Sequence, residues 1–128
     1  SESEGGVMTN RNKAKGTSWE TTVRELLRGQ GLDVESMRQL GAQDEGDLVV
    51  RTPEQGVRVV VEAKNRGQIA LAQFMREAGD ESSLYAHNRG LPQSDVVGVA
   101  VVKARQKSVG EAYAVLTLND LARIMSRL

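Results

Sequence analysis

The chain has no cysteine, so structural disulfides and thiolate metal sites are excluded. Its single histidine, His87, cannot build a histidine metal cluster and makes a poor base for a nucleophilic serine. No apolar run approaches the length that spans a bilayer, and no signal peptide is visible, so a cytoplasmic protein is the expectation (host cytoplasm if phage-encoded). Net charge is lacking too. Seventeen basic residues balance seventeen acidic ones over 128 residues. Residues 1–7 read as a leader, and without Glu2 and Glu4 the balance moves to +2. Several of the remaining acids, Asp44, Glu45, Asp47 and Glu62, crowd into one stretch, which leaves the rest of the surface more basic.

The stretch 46–64, which holds Asp47 and Glu62, organises the chain. Two β-branched runs, Leu48-Val49-Val50 and Val57-Arg58-Val59-Val60-Val61, flank a turn with Pro53 and Gly56, which signals a hairpin. A turn centred between Glu54 and Gln55 sets Asp47 opposite Glu62 and Arg51 opposite Arg58. Alternation along the strand then puts Lys64 on the same face as both acids. Cross-strand carboxylates about 5 Å apart repel by roughly 3 kcal/mol at an effective dielectric of 20. The cluster therefore needs a proton on one acid, neutralisation by Lys64, or a divalent cation of the oxygen-loving kind, Mg²⁺ or Mn²⁺. The plain alternative is a solvated hairpin with a cross-strand salt bridge.

The other elements follow in order. Residues 8–16 carry Arg11, Lys13 and Lys15 among Asn and Gly, without periodicity, and read as a basic arm suited to phosphate contacts or as a solvated terminus. Thr17 with Glu20 matches a capping box. Trp19, Val23, Leu26 and Leu27 then recur at helical spacing until Gly29 and Gly31. A short strand is expected over 32–37, and a helix opening at Gly67 and running to about Ala86. Val96 to Val102 reads as a strand buried on both faces. A further strand over 112–116 precedes a final helix capped by Thr117, with Leu121, Ile124, Met125 and Leu128 turned inward. Gln73, on the helix after the 46–64 stretch, could point at the site, with a partner-free surface amide the plainer reading. Met37, Leu40, Leu91 and Met125 are apolar residues that could supply an interface. Residues 1–14 are expected to form a flexible leader and arm, and 15–128 a single α/β domain with a mixed five-stranded sheet flanked by helices.

With the elements in this order, the chain resembles the PD-(D/E)XK nuclease superfamily, and within it the archaeal-type Holliday junction resolvases and their phage relatives. The residues that carry the likeness are Lys15-Gly16-Thr17-Ser18-Trp19-Glu20, then Gly31 and Arg38, then Gly46-Asp47-Leu48-Val49-Val50, then Val61-Glu62-Ala63-Lys64. Gly46 stands where the superfamily often has Pro. The resemblance implies a restriction-endonuclease-like core and Mg²⁺-dependent phosphodiester hydrolysis, with Mn²⁺ able to substitute. It implies Asp47 and Glu62 as metal ligands with Glu20 completing the site, and Lys64 placing the water or steadying charge on the phosphate. Arg11, Lys13, Lys15, Arg38 and Arg66 become candidate DNA contacts. The implied partner is branched DNA, a four-way junction cut by a homodimer. Another nuclease of the superfamily (repair, restriction-like or exonuclease) and a non-catalytic DNA-binding module of the same fold stay open as alternatives.

Overall fold

The strands over 48–52 and 57–64 sit at the middle of the sheet. The computed structural model describes residues 18–37, 47–54 and 56–128. Helix α1 covers 18–29. Strands β1 (Asp33–Ser36), β2 (Leu48–Thr52) and β3 (Val57–Lys64) form an antiparallel meander. Helix α2 (Leu71–Arg89) crosses over to β4 (Val96–Val102), which runs parallel to β3. Strand β5 (Tyr113–Val115) returns antiparallel to β4, and α3 (Leu118–Met125) follows. The five strands lie in the order β1-β2-β3-β4-β5. The fold is thus α/β, a mixed five-stranded sheet flanked by helices.

Alternation along the strands assigns the two faces. Leu48, Val50 and Val61 meet Trp19 and Val23 of α1, and Val34 of β1 joins them. Val57, Val97 and Val99 take Ile124 of α3. On the other face, Val49 and Val60 meet Tyr85 and Ala86 of α2, while Ala100 and Val102 meet Phe74. The β2–β3 register pairs Leu48 with Val61 and Arg51 with Arg58, as the turn chemistry predicts. The facing arginines avoid each other: Arg51 turns to Glu35 and Asp33, and Arg58 donates to the Tyr85 hydroxyl at 2.9 Å.

Glycine is essential in the middle of β4. A Cβ on Gly98 would lie 2.5 Å from the Ala78 carbonyl oxygen, so α2 can press onto the sheet only because position 98 has no side chain. Gly31 (φ 85°) closes α1 and Gly90 (φ 63°) closes α2. At Gly90 the amide returns to the Ala86 and His87 carbonyls, a left-handed helix end.

Several expectations change. Helix α2 begins at Leu71, because residues 65–70 are used to turn the chain from the end of β3 back over the sheet; Ile69 and Leu71 stay exposed. Met37 is no surface residue: only 1% exposed, it extends β1 through its amide bond to the Asp47 carbonyl and packs with Val49, Val60 and Tyr85. Leu91 also packs against that cluster. In α3 only Ile124 reaches the core, and Leu121, Met125 and Leu128 face outward, since a helix of eight residues beside a three-residue strand finds little sheet to cover. Thr117 does cap α3, accepting from the Asp120 amide at 3.2 Å. Among the described residues no helix is long and apolar enough to cross a membrane. Arg11, Lys13, Lys15, Thr17, Arg38 and Leu40 lie outside the described residues.

Candidate active site

Asp47 stands one residue before β2, and its backbone continues both ladders. Its amide donates to the Val61 carbonyl at 3.0 Å, and its carbonyl accepts from Met37 at 3.0 Å. Its side chain is fixed as well, with Oδ2 accepting from the Ala63 amide at 2.9 Å. The carboxylate is therefore anchored beside the Glu62-Ala63-Lys64 stretch by the register that the hairpin dictates. Glu62 and Lys64 share the α2 face of β3, two residues apart.

Lys64 is only 4% exposed. A buried ammonium needs paired anions, and two are present. Glu62 lies 3.2 Å from Nζ, and Glu77, on the sheet-facing side of α2, lies 2.5 Å away. The Phe74 ring lies 5.4 Å from the same nitrogen. Burial alone would lower the Lys64 pKa, but the hydrogen bonds and charges of Glu77 and Glu62 outweigh it and hold the ammonium above its ordinary value. The hydrogen bond from Lys64 holds Glu77 below the usual carboxylate range, against the opposing effect of burial. Gln73 also hydrogen-bonds Glu77, so this amide is tied to the cluster rather than simply solvated.

One turn further along α2, Glu81 faces Glu62. Burial, a hydrogen bond to Glu62 and the negative charges of Glu62 and Asp47 push Glu81 up to about 10. At neutral pH it is a protonated acid, so α2 adds no further negative charge beside Glu62 and Asp47. Its Oε2 is buried without a hydrogen-bond partner.

The structure thus gathers Asp47, Glu62 and Lys64 with two acids that the sequence reading did not single out. The missed signal was periodicity: Phe74, Glu77, Ala78, Glu81, Ser82 and Tyr85 share one face of α2, and the acids interrupt an otherwise apolar stripe. Glu20 is buried, 5% exposed, on α1 across the sheet from α2. Arg66 is exposed just past the end of β3.

Asp47, Glu62 and Glu81 offer only carboxyl oxygens, and the proton held by Glu81 marks negative charge that the protein alone leaves unbalanced. Among the described residues no three His, Cys, Asp or Glu form a group that could hold a metal ion. No family model matches the chain, and the search of curated proteins likewise finds no match.

Proposed function

We propose that the protein is a metal-dependent, structure-selective DNA endonuclease with a restriction-endonuclease-like core, which resolves four-way junctions by phosphodiester hydrolysis. The observation that supports it is the Asp47 carboxylate anchored on the Ala63 amide, between Glu62 and the buried Lys64 in the chain, with Glu62 3.2 Å from the Lys64 ammonium. A surface salt bridge has no need to bury its lysine between two acids or to hold a third acid protonated nearby.

In this reading Asp47 and Glu62 would hold Mg²⁺ or Mn²⁺. The ion would polarise the scissile phosphate and lower the pKa of a bound water. Lys64, charged and restrained by Glu77, stabilises the negative charge that grows on the phosphoryl oxygens. Because its two acids fix it before substrate arrives, little reorganisation is needed at the moment of reaction. Paired cuts in a two-fold symmetric junction call for a symmetric dimer. The exposed apolar residues of α3, Leu118, Leu121, Met125 and Leu128, are the candidate interface.

The test is incubation with Mg²⁺ of an immobile four-way junction, the matching linear duplex and a single strand. Cutting confined to the junction is expected. Cutting of the duplex would move the assignment to a repair, restriction-like or exonuclease activity, and binding without cutting would leave a DNA-binding module.

A further inference from the structure

Most described cations are matched. Arg51, Lys64, Arg123 and Arg127 pair with acids. Arg24 pairs with Glu25, Arg28 donates to the Val34 carbonyl, Arg58 to the Tyr85 hydroxyl, and Arg89 lies over the Tyr85 ring. Arg66, Arg76, Lys103, Arg105 and Lys107 form no ion pair among the described residues. Apart from Arg76 on the exposed side of α2, these all lie beyond the carboxyl ends of β3 and β4.

That rim adjoins the acid cluster directly, since the Lys103 amide donates to the Lys64 carbonyl at 2.9 Å. Two surface grooves meet there and share Asn65 and Lys103. One continues past Trp19 to Lys107, the other past Arg66 to Arg105. The loop that presents the cations is held in shape. Ala104 is buried within it, the Lys107 amide returns to the Ala104 carbonyl at 3.4 Å, and Gln106 adopts a left-handed φ of 57°. Lys103 Nζ lies 5.7 Å from the centre of the Trp19 ring, and the indole is itself fixed by its bond to the Val101 carbonyl. The Arg105 guanidinium lies beside Gly67, 3.4 Å from where a Cβ there would stand. Cations gathered on one rim repel one another, and a polyanion reduces that repulsion.

We propose that this rim is a track for the phosphodiester backbone of duplex DNA, with Asn65 and Lys103 at its centre and Arg66, Arg105 and Lys107 to the sides. The choice of DNA as the polyanion rests on the nuclease reading. A backbone seated on the track brings an adjacent phosphodiester to Lys64 and the acids.

The test is binding of fluorescein-labelled duplex to the full chain in EDTA, by anisotropy, across a salt series. The variants are Lys103→Ala with Lys107→Ala, and Arg66→Ala with Arg105→Ala. Arg127→Ala, whose guanidinium contacts the Gly56 carbonyl at the opposite end of the sheet, is the control. Each double variant is expected to bind more weakly and to lose about 0.9 per phosphate contact from the slope of log K against log salt. Circular dichroism should give unchanged melting, because every substituted side chain on the rim is exposed. Wild-type slopes and affinities in both double variants would overturn the track, as would an equal loss in Arg127→Ala or a wild-type protein that does not bind duplex. EDTA removes cleavage from the measurement. Binding that behaves as expected in a protein that never cuts would sink the nuclease reading alone, and cutting with unchanged slopes would sink the track alone.

Discussion

Lys64 and Glu77 form a contact between the sheet and the helix laid over it, with the ammonium 2.5 Å from the carboxylate. The strand supplies the cation and α2 supplies the acid, so the pair fixes the helix as much as it fixes the lysine. Glu77 keeps about a third of its side chain exposed (34%), which moderates the energy through solvent screening. A double-mutant cycle of Lys64→Met and Glu77→Gln, measured by urea unfolding, should give a coupling of about 1 kcal/mol. The lowered Glu77 makes that stabilisation present above the ordinary carboxylate range and lost as pH falls through its folded value. The raised Lys64 keeps it present below the ordinary lysine value and lost as pH rises beyond. A plateau between roughly pH 5 and 10 is therefore expected, given those reference values. A coupling that persists unchanged at pH 3 would contradict the pair.

Glu81 carries the opposite sign. Its folded value of about 10 lies above the ordinary 4.5, so the native state keeps a proton that the unfolded chain releases. Stability should therefore fall as pH rises between those values in metal-free buffer. Glu81→Gln retains the hydrogen-bonding shape without the ionisation. It should be more stable than wild type at pH 8 by about 1 kcal/mol or more and indistinguishable at pH 4. Thermal melts at the two pH values decide this. A wild-type stability that rises from pH 5 to 9, or a variant with the same pH dependence, would show that Glu81 ionises freely.

Much of this site was legible in the sequence, for a local reason. A hairpin's register follows from its turn and from the alternation of its strands, so Asp47, Glu62 and Lys64 could be placed before any tertiary contact was known. Glu77 and Glu81 could not, because they reach the site only through the packing of α2 over β3. That packing depends on Gly98, a residue that reads in sequence as a gap in a valine run. Met37 misled because it follows the strand proper, yet its amide extends the ladder to Asp47 and turns its side chain inward. Helix α3 misled in the other direction. Its apolar periodicity is real, but the sheet beside it is too narrow to cover Leu121 and Met125.

The proposed chemistry separates the roles of the three hairpin residues. Asp47→Asn and Glu62→Gln each remove a ligand and a negative charge near the phosphate. Junction cleavage should fall below about a hundredth of wild type, while binding is kept or strengthened. Lys64→Ala should lose most of the rate with little loss of affinity, because its charge matters more as the transition state forms. Single-turnover cleavage and gel-shift affinity on the same junction measure both quantities. An acid variant within threefold of wild type would remove that residue from the site. A Lys64→Ala protein that cuts normally but binds poorly would make Lys64 a phosphate anchor only.

Gly98 links the fold to the site, and its replacement should affect both. In Gly98→Ala the new methyl carbon would meet the Ala78 carbonyl oxygen at 2.5 Å and its carbon at 2.9 Å, with Ser82 Cβ at 3.3 Å. Two of these are backbone atoms, so the helix must lift rather than a side chain rotate away. Overpacking of this kind costs about 1–3 kcal/mol. Ala78 lies between Glu77 and Glu81, so a lifted helix also draws both acids from Lys64 and Glu62. Cleavage should then fall by more than the loss of folded protein explains, while duplex binding at the rim of Lys103 and Arg105 is kept. Gly79→Ala is the matched comparison one residue along α2. No atom lies within 4 Å of its Cβ position, and alanine there should stabilise the helix by about 0.5–1 kcal/mol. Urea unfolding of the two variants, with cleavage measured where both remain folded, tests the argument. A Gly98→Ala protein as stable and as active as Gly79→Ala would show that α2 does not depend on the missing side chain.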